Sequence, residues 1–155
     1  MELDRPYLAD VGFGSGLLEP IPLEVGVYQQ EFLTYRLAQQ GERWVLTNHG
    51  GQIIDFTLRA QCLSDFAAYC THLQTSPESW FVRSTVCHRF TPHGILTLQG
   101  TVLRDVTANG VAKQVILSKK AYERTLSRRF GLRLPEAELS SLWQRVWDRH
   151  VVQGT

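Results

Sequence analysis

Apolar and polar positions alternate along much of the first third of the chain, the period of a half-buried strand. In Arg43 to Asn48, Trp44 and Leu46 fall on one face and Val45 and Thr47 on the other. Phe32 to Leu37 precedes this run, with the turn residues Gly41 and Glu42 between, and the pair predicts a hairpin. His49-Gly50-Gly51 forms the next turn, and Ile53 to Leu58 supplies a further short strand. Upstream, Gly16, Pro20, Pro22 and Gly26 interrupt Leu17, Leu18, Ile21, Leu23 and Val25, the signature of short extended pieces joined by turns.

From Ser64 the period changes. Phe66, Tyr69, Cys70 and Leu73 recur at helical spacing, which predicts a helix with one buried face and Ser64 as its N-cap. Pro77 disfavours helical geometry in the residue before it, so the helix ends by Ser76. Strand-like runs follow at Val82 to Phe90 and, after the turn Thr91-Pro92-His93-Gly94, at Ile95 to Arg104. Asn109-Gly110 is a strong two-residue hairpin signal, and it returns the chain through Val111 to Leu117. Ser118 caps a basic segment running to Arg129, which stops near Gly131. Pro135 opens the last helix, where Leu139, Leu142, Trp143, Val146 and Trp147 share a stripe and Glu138, Arg145 and Arg149 point away. The two strand-rich stretches flanking the Ser64 helix are expected to pack together.

One stretch departs from these patterns. Tyr7-Leu8-Ala9-Asp10-Val11-Gly12-Phe13-Gly14 sets an acid inside an apolar run and ends in two glycines around an aromatic. As a strand it turns Leu8 and Asp10 to one face and Tyr7, Ala9 and Val11 to the other. A carboxylate among apolar side chains needs a partner. Either Asp10 is held by a donor across the fold, or it caps a turn at the strand end, the commoner arrangement. Gly12 and Gly14 give the backbone freedom to turn closely.

Composition narrows the picture. The chain has 155 residues, 43% apolar and 20% charged, within the range of ordinary globular domains. A net charge of +1 argues against a broad nucleic-acid surface. No run of about 18 apolar residues is present to span a membrane, and the N-terminus lacks the pattern of a signal peptide. Cys62, Cys70 and Cys87 make an odd count without metal-site spacing, which predicts reduced thiols, no metal and a soluble cytoplasmic protein.

Few residues offer chemistry on their own. Cys70 lies on the apolar stripe of the Ser64 helix, where a thiol stays protonated, and nothing beside Cys62 or Cys87 lowers a thiol pKa. His49, in a glycine-flanked loop, is the one histidine to test as a base, although a plain turn histidine is the commoner case. Thr71 to Phe81 places hydroxyls before and after a proline and an aromatic pair behind it. Such a segment either makes an ordinary helix-to-strand connection or receives a phosphate-bearing ligand and its adenine or pantetheine arm. Lys119, Lys120, Arg124, Arg128 and Arg129 read as a solvated basic helix face rather than a phosphate patch.

Together, Tyr7 to Gly14, Leu73-Gln74-Thr75-Ser76-Pro77 with Ser79 and Phe81, and Cys87 followed by Thr91-Pro92-His93-Gly94 resemble the arylamine N-acetyltransferases. The likeness covers nearly the whole chain. In that family a cysteine attacks the acetyl-CoA thioester, a histidine takes its proton and an aspartate orients the histidine. The acetyl group then passes to a small arylamine or hydrazine acceptor. The resemblance implies that Asp10 is the catalytic aspartate, that Phe13 walls the acceptor pocket, and that Gly12 and Gly14 hold the adjoining loop. It places His72, Glu78 and Phe81 near positions lining the coenzyme A cleft. Glu78 departs from the pattern, since an acid repels coenzyme phosphates.

The family's Arg-Gly-Gly-x-Cys segment and its catalytic histidine precede the aspartate motif, and only nine residues precede Asp10 here. The resemblance therefore implies an α+β chain, an antiparallel β-barrel remnant followed by an α/β lid with C-terminal helices. Residues 1–63 correspond to a partial barrel domain, 64–81 to a connecting helix and loop, and 82–155 to the lid. The expected function is that of a C-terminal portion of an acetyl-CoA-dependent arylamine N-acetyltransferase, inactive alone. The alternative is a non-catalytic acyl-CoA-binding or assembly module. An incomplete barrel leaves an edge open, which predicts a dimer or other oligomer.

Overall fold

Leu33, Tyr35 and Leu37 alternate with exposed Thr34 and Arg36, and this period-two pattern sets the register of the first large sheet. A computed structural model describes residues 4–12, 14 and 16–153. The chain is α+β and divides into two compact units, Met1–Cys62 and Leu63–Thr155. In the first unit, β1 (Tyr7–Leu8) pairs antiparallel with β2 (Ile21–Pro22). A four-stranded antiparallel meander follows: β3 (Gly26–Gln30), β4 (Leu33–Gln40), β5 (Arg43–Thr47) and β6 (Ile53–Thr57). Leu37 lies opposite Leu46, and Leu46 opposite Ile54, so one face carries the apolar row. Trp44 and Leu46 are buried with Leu33, Tyr35 and Leu37, as the alternation predicts. Among the described residues neither large sheet closes on itself.

The second unit begins with α1 (Leu63–Thr75) and the single helical turn α2 (Trp80–Arg83). A second antiparallel meander follows, with β7 (Val86–Thr91), β8 (Gly94–Gln99), β9 (Val102–Thr107) and β10 (Gly110–Val115). Next comes α3 (Lys119–Thr125), which runs into a π-helical turn over Leu126–Phe130, and then α4 (Glu136–Gln153). Cys87, Leu98 and Leu103 form a row across β7, β8 and β9. Leu96, Leu98 and Leu103 pack with Ile116, Tyr122 and Leu126, and with Leu139 and Val146 of α4. Each such side chain contributes roughly 1.5–3 kcal/mol relative to exposure. Ser118 caps α3 as expected, its Oγ accepting from the Ala121 amide at 3.3 Å.

Expectations are corrected at three places along the chain. Ser64 falls inside the first turn of α1, which starts at Leu63. No residue of α1 is buried: Phe66 and Tyr69 are 49% and 64% exposed, and Cys70 is exposed. Second, Val82 and Arg83 belong to helix rather than strand, because the Ser79 carbonyl accepts both of their amides, at 3.1 and 3.0 Å. Third, Ile95 to Arg104 is two strands. Gly100, at φ 54°, turns the chain so that Gln99 opposes Val102.

Candidate functional site

The loop bearing Asp10 is tied down from several sides. The β1–β2 ladder anchors its start. Beyond it, the Tyr35 hydroxyl of β4 donates to the Gly16 carbonyl at 2.7 Å. The Gln30 side chain accepts from the Leu18 amide at 2.8 Å and donates to the Glu19 carbonyl at 2.7 Å. Tyr28 donates to the Glu24 carbonyl at 2.8 Å. An irregular segment is thus fixed by side chains from the sheet.

Asp10 is half-buried, while Ala9 and Val11 are exposed, so the inward and outward alternation persists although strand pairing stops at Leu8. Its Oδ1 accepts from the Gly12 amide at 3.1 Å, the local turn anticipated as the commoner arrangement. Its charge also reaches Tyr35. Burial, first, and the nearby Asp10 carboxylate, second, push the Tyr35 phenol above its ordinary value. Gly12 lies outside the left-handed region, and among the described residues a Cβ there meets nothing within 4 Å. Gly14 is exposed. Phe13 lies outside the described residues.

His72, Glu78 and Phe81 belong to the second unit, at the corner between α1 and α2. Ser79 is the buried hinge of that corner, its Oγ donating to the Leu73 carbonyl at 2.6 Å. The other hydroxyls are also engaged. Thr71 donates to the Ala67 carbonyl, Thr75 to the Thr71 carbonyl, and Ser76 accepts from the Glu78 amide. Groups free to meet a ligand are therefore rings and ends. His72 stacks on Tyr69 with centroids 6.3 Å apart, and Trp80 meets Phe81 edge-on at 5.5 Å. Phe81 is 65% exposed, and Glu78 is exposed.

The remaining candidates have structural environments. His49 Nδ1 accepts from the Thr34 amide at 3.3 Å, so it reads as a turn histidine rather than a base. Burial pushes the Cys87 thiol up, opposite to what a nucleophile needs. In the basic segment, Lys119 pairs with Glu136 and Arg129 with Asp105. Arg89 donates to the Arg129 carbonyl at 2.9 Å. Among the described residues no three His, Cys, Asp or Glu side chains group to hold a metal ion, and no helix is long and apolar enough to cross a membrane. Sequence reasoning missed Tyr35: the strand expected over Phe32 to Leu37 contains it, but nothing in that run marks it as the neighbour of Asp10.

A family model described as N-acetyltransferase matches residues 2–139, and the curated and solved relatives are arylamine N-acetyltransferases. The chain belongs to the arylamine N-acetyltransferase family. It is 32% identical to the arylamine N-acetyltransferase 2 of Mesocricetus auratus, over 64% of this chain and 43% of that protein. It is 28% identical to the pineal gland isozyme of Gallus gallus, over 84% of this chain and 55% of that one. Among solved arylamine N-acetyltransferases, that of Mycobacterium marinum in complex with CoA superimposes with a TM-score of 0.80 and 27% identity, over 92% of this chain and 55% of its own. That of Salmonella typhimurium gives 0.78 and 26%, over 91% and 57%. The chain spans about half the length of these relatives.

Proposed function

We propose that this chain is a C-terminal portion of an arylamine N-acetyltransferase that does not form the acetyl-enzyme by itself. Acetyl-CoA is the proposed donor and a small arylamine or hydrazine the proposed acceptor. The observation carrying this reading is the family match over residues 2–139 on a chain that spans about half the length of its relatives, with Asp10 proposed as the family's aspartate. In that role the carboxylate orients a histidine, and its Oδ1 also accepts from the Gly12 amide of its own loop. None of the three thiols fits the role of nucleophile: two are exposed outside the motif and burial pushes the third up.

Phe13, Gly12 and Gly14 are proposed to border the acceptor. His72, Glu78 and Phe81 are proposed to line the coenzyme cleft, where the exposed Trp80 and Phe81 rings suit a flat or pantetheine-like group. The β3–β6 sheet is read as a remnant of the family's barrel within residues 1–63, with 64–81 as connector and 82–155 as lid. Its outer strands carry exposed Val27 and Ile53. Unpaired edges of this kind support association with a second chain or with the segments that complete the barrel. An odd count of three cysteines suits a reducing compartment, and the cytoplasm is the proposed location.

The test is acetyl transfer from acetyl-CoA to an aromatic amine by this chain alone. Background rates are expected, and enzymatic turnover would overturn the reading. Sedimentation tests association, where a strictly monomeric profile counts against it.

A further inference from the structure

Arg83 at the end of α2, Arg104 on β9 and Arg149 towards the C-terminal end of α4 line one cleft of about 260 Å³, and no carboxylate is among its lining residues. His150 and Thr101 complete its polar wall. Thr101 is buried, its Oγ1 lies 3.1 Å from His150 Nδ1, and the His150 ring packs on Trp147 at 5.4 Å. Arg149 donates to the Val82 carbonyl at 3.4 Å. The cleft is therefore held by contacts from α2, the β8–β9 turn and α4.

Among the described residues no carboxylate compensates the charges in it. Arg5, Arg43, Lys119 and Arg129 each pair with a carboxylate. Among the described residues no such pair engages Arg83, Arg104 or Arg149. The negative end of α4 favours a cation such as Arg149 nearby. It does not account for Arg83 and Arg104, which arrive from other elements. Guanidiniums sharing a cleft repel one another, and an oxyanion among them replaces repulsion with forked, charge-assisted hydrogen bonds. The volume lies below the roughly 300–1,000 Å³ of pockets that enclose a drug-sized ligand, so the cleft suits an anionic group rather than a whole organic molecule.

We propose that this cleft is a binding site for a phosphate-class oxyanion, either a free anion or the phosphate end of a larger organic phosphate. The site is distinct from the α1–α2 corner, and its occupancy does not depend on acetyl transfer.

Calorimetric titration of the full chain with inorganic pyrophosphate at low salt tests it. Binding with a Kd on the order of 0.1–1 mM is expected. The double variant Arg83→Ala/Arg149→Ala should weaken it at least tenfold, and Arg124→Ala/Arg128→Ala, outside the cleft, should leave it unchanged. Circular dichroism establishes that each variant folds. Should the alanine pair fail to fold, Arg83→Lys/Arg149→Lys replaces it, with a severalfold loss expected because the forked geometry is removed while charge is kept. Displacement of pyrophosphate by coenzyme A, with both weakened by the cleft variants, assigns the site to an organic phosphate. Unaltered pyrophosphate binding in saturating coenzyme A assigns it to a free anion. Absence of heat with the native chain, or equal losses in the cleft and control variants, would overturn the proposal.

Discussion

Gly94 packs so closely on Val106 that a Cβ at Gly94 would penetrate the Val106 carbonyl oxygen and lie 2.9 Å from its carbonyl carbon. The contact fixes the β8–β9 ladder where Gly94 opposes Thr107, directly after the Thr91-Pro92-His93 turn. Backbone crowding of this kind has no flexible side-chain end to move aside. Gly94→Ala is expected to destabilise the chain by about 1–3 kcal/mol or more, read as a lower urea midpoint.

Asp10 and Tyr35 are coupled through charge. Asp10→Asn removes the carboxylate that opposes ionisation of the Tyr35 phenol, while the burial that dominates the shift remains. The phenol is expected to titrate at lower pH in the variant yet still above its ordinary value, as followed by tyrosine-selective NMR. An unchanged titration would show that the carboxylate does not act on Tyr35.

Tyr122 sets an alkaline limit. Burial, aided by the nearby Cys87, pushes its phenol up to about 12 from an ordinary 10.0. Between those values the unfolded chain has lost a proton that the folded chain keeps, so stability falls as pH rises. The loss from this group is on the order of 2–3 kcal/mol across that window. Tyr122→Phe should flatten the fall of the urea midpoint above pH 10, leaving the smaller slope from Tyr35 and Cys87, which are also raised.

Glu78 gives a charge test of the proposed coenzyme cleft. Glu78→Gln keeps the backbone bond to Ser76 and removes an exposed negative charge. Coenzyme A is expected to bind roughly two- to fivefold tighter at low ionic strength, with the gain fading as salt is added. Titration calorimetry at two salt concentrations checks it.

Much of this fold was legible because burial enforced a period. Trp44 and Leu46 could alternate only as a half-buried strand, and Leu139, Trp143 and Val146 only as a helix stripe. Gly100 was hidden because strand-like residues flank it on both sides, and its positive φ has no signature beyond glycine itself. Val82, β-branched, reads as strand, yet the buried Ser79 presents its carbonyl to the next amides and wins locally. The α1 stripe predicted a buried face, but the pattern carries no information on what covers it. Asp10 was legible as an anomaly through its apolar neighbours. Its neighbour Tyr35 was not, because that pairing crosses 25 residues of chain. The arginine cleft was equally invisible, since its members come from three separate elements.

The proposed function rests on Asp10 standing as the family's aspartate while none of Cys62, Cys70 and Cys87 takes the acetyl group. Intact-protein mass spectrometry after incubation with excess acetyl-CoA tests it most directly. No adduct of one acetyl group that hydroxylamine at neutral pH removes is expected. A stoichiometric, hydroxylamine-sensitive acetyl adduct on Cys62, Cys70 or Cys87 would contradict it.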